Sequence, residues 1–104
     1  MTDAQSLHRK AMEFVDESEF SPNKEQKQES LLKALELETQ AANTLKDRDD
    51  CEPTRSILYN SAAQIAVRAN LLDEAKVLAL SGLSGTPPEY IATQLEAILE
   101  DKTP

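Results

Sequence analysis

The stretch that decides the fold is residues 56–89, SILYNSAAQIAVRANLLDEAKVLALSGLSGTPPE. Apolar residues recur through it at helical spacing, which predicts one helix over residues 53–69 and a second over residues 72–83. Asn70 lies between them, and asparagine tolerates the left-handed backbone conformation that reverses a chain at a helix end. The second helix carries a seam of small residues, which lets two helix backbones approach closely: Ala75, Ala79 and Gly82. We therefore predict that these two helices form a tight antiparallel hairpin.

The first helix of this hairpin is apolar over an unusually wide arc. One face carries Leu58, Ala62, Ile65 and Ala69, and a neighbouring face carries Tyr59, Ala63 and Ala66. A helix that is apolar on two adjoining faces needs neighbours on both. This helix is therefore predicted to be the central one.

Two longer helices are predicted upstream. The first covers residues 3–18, with Thr2 and Gln5 in the spacing of a capping box. The second covers residues 22–46, with Ser21 as N-cap and a proline at the first helical position. Between it and the hairpin lie residues 46–52, which have no apolar period and are rich in acidic side chains.

Downstream of the hairpin, Thr86-Pro87-Pro88-Glu89 has the form of a strong helix start. It combines an N-cap threonine, a proline in the first turn and a glutamate three residues after the cap. A last helix is predicted over residues 87–100. The expectation for residues 1–104 is one all-α domain with four to five helices and no sheet.

Residues 56–89 resemble one tetratricopeptide repeat, a helix-turn-helix unit 34 residues long. Small residues fall at the expected places in both helices, Asn70 stands where the family has a turn glycine, and Pro87 matches the closing proline. The segments LYNSAA (58–63) and GLSGTPPE (82–89) also resemble short, uncharacterised bacterial proteins of tetratricopeptide-like fold. The resemblance implies tetratricopeptide-like antiparallel helix hairpins, with residues 87–100 as a C-terminal capping helix. Because no turn interrupts residues 22–46, it implies a repeat-like fold and not a regular array.

Composition narrows the range of partners. The net charge of −8 argues against binding nucleic acid, since phosphate contacts need clustered Lys and Arg, and it disfavours anionic membrane surfaces. No apolar stretch approaches the roughly 20 residues of a membrane span. One cysteine, Cys51, allows no internal disulfide. An acidic, cytoplasmic protein is the expectation.

Few residues offer chemistry. His8 is the only histidine, and we expect it to be an exposed helix residue and not a metal ligand. Cys51 lies among carboxylates, which disfavour the reactive thiolate, so an inert loop cysteine is expected. The acidic residues 47–52 lack the glycine and the length of an EF-hand loop and are expected to form a solvated acidic cap. We predict no enzyme activity, no cofactor and no metal.

The remaining feature is a polar stripe on the central helix, formed by Asn60, Gln64 and Arg68 at spacing i, i+4 and i+8. Two amides can hydrogen-bond a peptide backbone, and an arginine can hold a carboxylate through two parallel bonds. The resemblance adds two further ligand-facing positions, Ile57 and Val67. Arg68 has an alternative role as an ion pair with Asp73 or Glu74.

The predicted function is therefore a non-catalytic protein–protein interaction module that binds a peptide or a partner helix on this stripe. One alternative is a self-associating structural protein, a homodimer formed through the second or the last helix, since Leu32 and Leu37 lie off the main apolar stripe. A second alternative is a small regulator of an enzyme.

Overall fold

The computed structural model describes residues 3–100, which contain five α-helices, one short 3-10 helix and no strand. The helices are α1 (Ala4–Glu19), α2 (Lys24–Thr44), α3 (Thr54–Arg68), α4 (Leu72–Leu83) and α5 (Glu89–Leu99), and the 3-10 helix spans Asp49–Cys51. The prediction of an all-helical chain is confirmed for this part of the protein. The predicted bounds of α4 agree to the residue, and those of α3 differ by one residue at each end.

The start of α1 differs from the predicted capping box. Thr2 lies outside the described residues, and the N-cap is Asp3, whose carboxylate accepts the backbone N–H of Ser6 at 2.8 Å. Such a bond satisfies one of the N–H groups that the first turn of a helix leaves unpaired.

The predicted cap of α2 was wrong. Asn23 is the N-cap, with its side-chain oxygen 2.9 Å from the backbone nitrogen of Gln26. Ser21 instead donates its hydroxyl to the carbonyl oxygen of Glu17, at 2.9 Å, and so helps to close α1. Both serine and asparagine are good N-cap residues. In the connection between α1 and α2, Ser21 bonds the end of α1 and Asn23 caps the start of α2.

The turn between α3 and α4 has the geometry that Asn70 predicts. Asn70 is in the left-handed conformation, with φ of 63°. Its N–H donates to the carbonyl oxygen of Val67 at 3.0 Å, and the N–H of Leu71 donates to that of Ala66 at 2.8 Å. These two bonds form a Schellman motif, which pairs the orphan carbonyls at the end of α3.

The last helix begins at Glu89 and not at Pro87, and Thr86 does not cap it. The backbone N–H of Thr86 donates to the carboxylate of Glu52 at 2.9 Å, which ties the segment before α5 to the segment before α3. Thr86 is therefore held by a residue 34 positions earlier in the chain and does not act as the N-cap that its local sequence predicts.

Successive helices pack against one another, and α3 contacts α2, α4 and α5. The described residues form a slab of 40 × 39 × 18 Å, about two helix layers thick. Tyr59 and Leu95 are fully buried near the end of α4. A Cβ atom on Gly82 would lie 2.8 Å from Leu95 Cδ1 and 3.1 Å from Tyr59 Cβ, so the close approach of α4 to its neighbours depends on glycine at this position.

Candidate functional site

The polar stripe of α3 is largely open. Ile57 and Val67 are each 38% exposed, and Gln64 and Arg68 are exposed as well. Asn60 is buried. We call these five residues the α3 face.

Helix α5, and not α1 or α2, accounts for the burial of Asn60. The Asn60 side-chain nitrogen donates to Gln94 Oε1 at 2.6 Å, and Gln64 Nε2 donates to Asn60 Oδ1 at 3.3 Å. Three side-chain amides are thereby joined into one run across two helices. The sequence pattern did not identify Gln94, because its contact with α3 is not local.

An open depression of about 620 Å³ adjoins this amide run on α5, lined by Glu89, Tyr90, Thr93 and Gln94. Tyr90 lies one helical turn before Gln94 and is 60% exposed. Exposed tyrosine combines a large apolar ring with a polar tip and is enriched in protein interfaces. The surface that adjoins the α3 face therefore includes an aromatic side chain.

Arg68 has a partner that the sequence did not suggest. Its Nη2 lies 3.8 Å from Glu19 Oε1 at the end of α1, and both side chains are substantially exposed. The alternative pairing with Asp73 or Glu74 is not formed among the described residues. An exposed pair at this distance contributes roughly 0–1 kcal/mol, so Arg68 can be released at small cost.

The most highly connected polar side chain was missed by the sequence analysis. Arg55 is 2% exposed and donates to the Lys46 carbonyl oxygen at 2.8 Å, just beyond α2. It also donates to the Ser81 carbonyl oxygen at 2.8 Å and to Ser84 Oγ at 3.0 Å, at the end of α4. Arg55 therefore links the C-terminal ends of two helices. Its place on the same helical face as Tyr59 and Ala66 is the signal that could have revealed its burial.

Glu52 corrects the expectation of a solvated acidic cap. Asp49 and Asp50 are exposed, but the Glu52 side chain is only 9% exposed. Its carboxylate accepts hydrogen bonds from Ser56 and from the Thr86 N–H and lies 3.4 Å from the Arg55 guanidinium. Burial by itself raises the pKa of the Glu52 carboxyl, but these hydrogen bonds and the positive charge of Arg55 together hold its pKa below the ordinary value.

Below Arg55, Tyr59 completes this polar cluster. The Arg55 guanidinium stands 5.0 Å from the Tyr59 ring centre, and the Tyr59 hydroxyl donates to Asn43 Oδ1 at 2.7 Å. Burial raises the pKa of this phenol. The cluster is satisfied internally and is enclosed by three helices, so we assign it to stability and not to a reaction.

His8 is paired, contrary to the expectation of an ordinary exposed residue. Its Nδ1 lies 2.8 and 2.9 Å from the two carboxylate oxygens of Glu38, which is fully buried on α2. A carboxylate on Nδ1 fixes the orientation of an imidazole, as in catalytic triads. Within residues 3–100, however, no serine, threonine or cysteine side chain hydrogen-bonds His8. The signal for this pair was a glutamate in register with the apolar stripe Leu31, Leu35 and Ala42.

Cys51 lies in the 3-10 helix, partly exposed and with a free thiol. No three His, Cys, Asp or Glu side chains in the described chain come together in a way that could hold a metal ion. None of the five described α-helices has both the length and the apolar content to cross a membrane. The chain has no significant match to a protein-family model, to a curated protein or to a solved structure.

Proposed function

We propose that the protein is a tetratricopeptide-like, non-catalytic interaction module whose α3 face holds a peptide or a helix of a partner protein. The observation that carries the proposal is the exposure of Ile57, Gln64, Val67 and Arg68 in one stripe of a helix whose opposite side is buried. The repeat-like arrangement is supported by the order of the helices, since residues 56–89 contain all of α4 and all but the first two residues of α3, and α5 then packs on both helices.

The close packing of α3 supports the proposal, because it holds the exposed stripe on a rigid helix. The side of α3 opposite the stripe is closely packed and has no exposed surface at Tyr59 or at three alanines, Ala62, Ala63 and Ala66. A binding group on such a helix loses little further freedom when a ligand arrives, which preserves affinity. The hydrogen bond from Asn60 to Gln94 also holds the amide run in place before binding.

The chemistry of the stripe suits a peptide. Gln64 and Gln94 keep amide groups that can bond to a peptide backbone, Ile57 and Val67 offer apolar contact, and Arg68 offers a cation. Most of this protein's surface repels carboxylates, because its net charge is −8. A cation at one end of the stripe therefore orients a ligand that carries an acidic side chain or a free carboxylate.

The test is selection of a displayed library of random linear peptides on the wild-type protein, followed by measurement of Kd by fluorescence anisotropy. We expect the Gln64→Ala/Arg68→Ala variant to bind the selected peptides at least about tenfold more weakly, because it removes one amide and one desolvated cation. Its melting temperature should change little, since Gln64 and Arg68 are exposed.

The matched control is Gln5→Ala/Arg9→Ala on α1, which has the same residue types, the same i, i+4 spacing and exposed side chains. This variant should bind like the wild type. Equal binding by both variants would exclude the α3 face as the site. A large fall in melting temperature for Arg68→Ala with unchanged binding would assign Arg68 to the ion pair with Glu19.

A further inference from the structure

A second surface lies between α2 and α4, on a different side of the slab from the α3 face. α3 turns its buried side toward α2 and α4 and its exposed stripe away from them. Residues of α2 and of the start of α4 line a groove of about 350 Å³, which we call the α2–α4 groove: Leu32, Leu35, Glu36, Thr39, Gln40, Leu71 and Glu74.

The floor of the groove is apolar and incompletely covered. Leu35 is buried at its base, while Leu32 is 42% exposed and Leu71 is partly exposed. The hydroxyl oxygen of Thr39, in its wall, is buried and has no hydrogen-bond partner among the described residues. Leu32 and Leu71 line the same depression, and an apolar patch that is continuous in this way marks a surface for interaction.

The rim of the groove is acidic. Glu36 stands on the α2 side and Glu74 on the α4 side, and neither forms an ion pair within residues 3–100. The neighbouring lysines are directed elsewhere. Lys33 bonds Glu29 at 3.3 Å and stands over the Phe14 ring, and Lys76 lies two residues after Glu74, on the other side of α4.

The two helices that form the groove run in the same direction. The start of α4 lies beside the middle of α2, and Arg55 joins Lys46, just beyond the end of α2, to Ser81 in the last turn of α4. They make little direct contact with each other, since α3 lies beneath both. Two roughly aligned helices with an open space between them accept a third helix at ordinary packing distances.

We propose that the α2–α4 groove binds a basic amphipathic helix of a partner protein. Leucine or isoleucine side chains of that helix would cover Leu32 and Leu71, and flanking lysine or arginine side chains would pair with Glu36 and Glu74. A second copy of this chain is the less suitable occupant, because it would bring two surfaces of net charge −8 together.

The experiment is a titration of the isotope-labelled protein with a synthetic amphipathic helical peptide of leucine and lysine, followed by NMR. Two further peptides serve as comparisons, one with the same composition in an order that destroys the apolar face and one with glutamate in place of lysine. We expect chemical-shift changes to cluster at the groove residues for the first peptide and to be weak and scattered for the other two. Equal binding by the reordered peptide would overturn the proposal.

Variants of the protein show whether the peptide binds in the groove or is only attracted by the negative charge of the whole surface. Leu32→Glu and Glu36→Lys/Glu74→Lys should each weaken binding at least about tenfold. Leu80→Glu changes a leucine outside the groove that is more exposed than Leu32, at 58% against 42%, and should bind like the wild type. Glu25→Lys/Glu96→Lys changes the net charge by the same amount at exposed positions and should have an effect within about twofold.

Three other results would overturn the proposal. If Glu36→Lys/Glu74→Lys and Glu25→Lys/Glu96→Lys weaken binding equally, the peptide responds only to the net charge of the protein, and the groove is not a site. If the shifts map to the α3 face, and Gln64→Ala/Arg68→Ala abolishes them, this inference fails while the proposed function stands. If light scattering of the unliganded protein shows a dimer that Leu32→Glu dissociates, a second copy occupies the groove and the proposal is overturned.

Discussion

Arg55 is the side chain on which the polar contacts between the helix ends converge. The last carbonyl groups of a helix have no partner within it and carry partial negative charge. One guanidinium reaches such a carbonyl at Ser81, in the last turn of α4, and it also donates to the Lys46 carbonyl just beyond α2 and to the Glu52 carboxylate. A planar group with five N–H donors can satisfy all of these acceptors at once, whereas an ammonium group cannot.

We therefore predict that Arg55→Lys destabilises the protein by about 2–3 kcal/mol, because buried acceptors lose their donors while the positive charge stays. Urea denaturation gives the free energy of unfolding. The control is Arg48→Lys, which changes an exposed arginine bonded to Asp50 and should cost less than about 0.5 kcal/mol. If Arg55→Lys and Arg48→Lys lower the free energy of unfolding by similar amounts, the buried contacts of Arg55 contribute no more to stability than those of an exposed arginine.

Glu52 gives the protein a component of stability that depends on pH. Its pKa in the folded protein is lowered, so the ionised form stabilises the native state above the ordinary carboxyl range. That contribution is lost as the pH falls through the folded-state pKa. We expect Glu52→Gln to be less stable than the wild type at neutral pH and the gap in melting temperature to narrow as the pH falls below the ordinary range of a glutamate carboxyl.

Asp3→Asn is the matched control for this pH series. The pKa of Asp3 is also lowered, chiefly by the hydrogen bond from the Ser6 backbone, but Asp3 is exposed and asparagine caps a helix equally well. The same linkage applies to Asp3, but solvent screens an exposed carboxylate, so the gap in melting temperature between Asp3→Asn and the wild type should be much smaller than that of Glu52→Gln. A gap for Glu52→Gln that stays constant with pH would show that its carboxylate is not the acid-sensitive group.

At the scale of the elements, the contact between α3 and α4 depends on small side chains. Ala63 and Ala75 have no exposed surface. We predict that Ala63→Leu or Ala75→Leu lowers the stability by about 1–3 kcal/mol, because a larger side chain forces the helices apart. Thermal melting measures this loss. Ala97→Leu, on the exposed side of α5, should leave the melting temperature nearly unchanged, and an equal effect at all three positions would contradict the packing.

The sequence predicts these elements well where one local signal is unopposed. Asn70 fixes the end of α3 and the start of α4, since few residues adopt a positive φ. The starts of α2 and α5 were misplaced, because the Ser21 hydroxyl bonds Glu17 in the preceding helix and the N–H of Thr86 bonds the distant Glu52. A capping rule considers only three or four neighbouring residues, so it cannot take into account that Glu52, 34 positions earlier, accepts the hydrogen bond from the Thr86 N–H.

For the candidate site, sequence periodicity identifies the stripe on α3 but not what adjoins it. Spacing alone places Gln64 and Arg68 on one face, and both are exposed. The roles of Asn60 and Arg55 depend on Gln94 and Ser81, which distant elements bring into contact. Rules that place charged residues at the surface also count against a buried Arg55 or Glu38, although their helical register with apolar neighbours indicated it.

Across the whole molecule, stability is not expected to be uniform. α1 packs mainly on α2, whereas α3 is enclosed by α2, α4 and α5. A helix with neighbours on one side opens at a lower free energy than a helix with neighbours on three. We expect amide hydrogen exchange to show protection factors in α1 at least about tenfold lower than those in α3. Equal protection in both helices would indicate that the described residues open only as one unit.

The alanine-rich interior also determines which substitutions the fold tolerates. Half of the buried hydrophobic side chains described are alanine: Ala11, Ala34, Ala41, Ala42, Ala62, Ala63, Ala66, Ala69, Ala75 and Ala79. Such positions have almost no side chain left to remove, so truncation opens little cavity, while any enlargement meets a neighbouring backbone. During evolutionary drift, sequences of this fold therefore face a ceiling on residue size along the helix seams and change most freely at the outward-facing positions, including those of the α3 face.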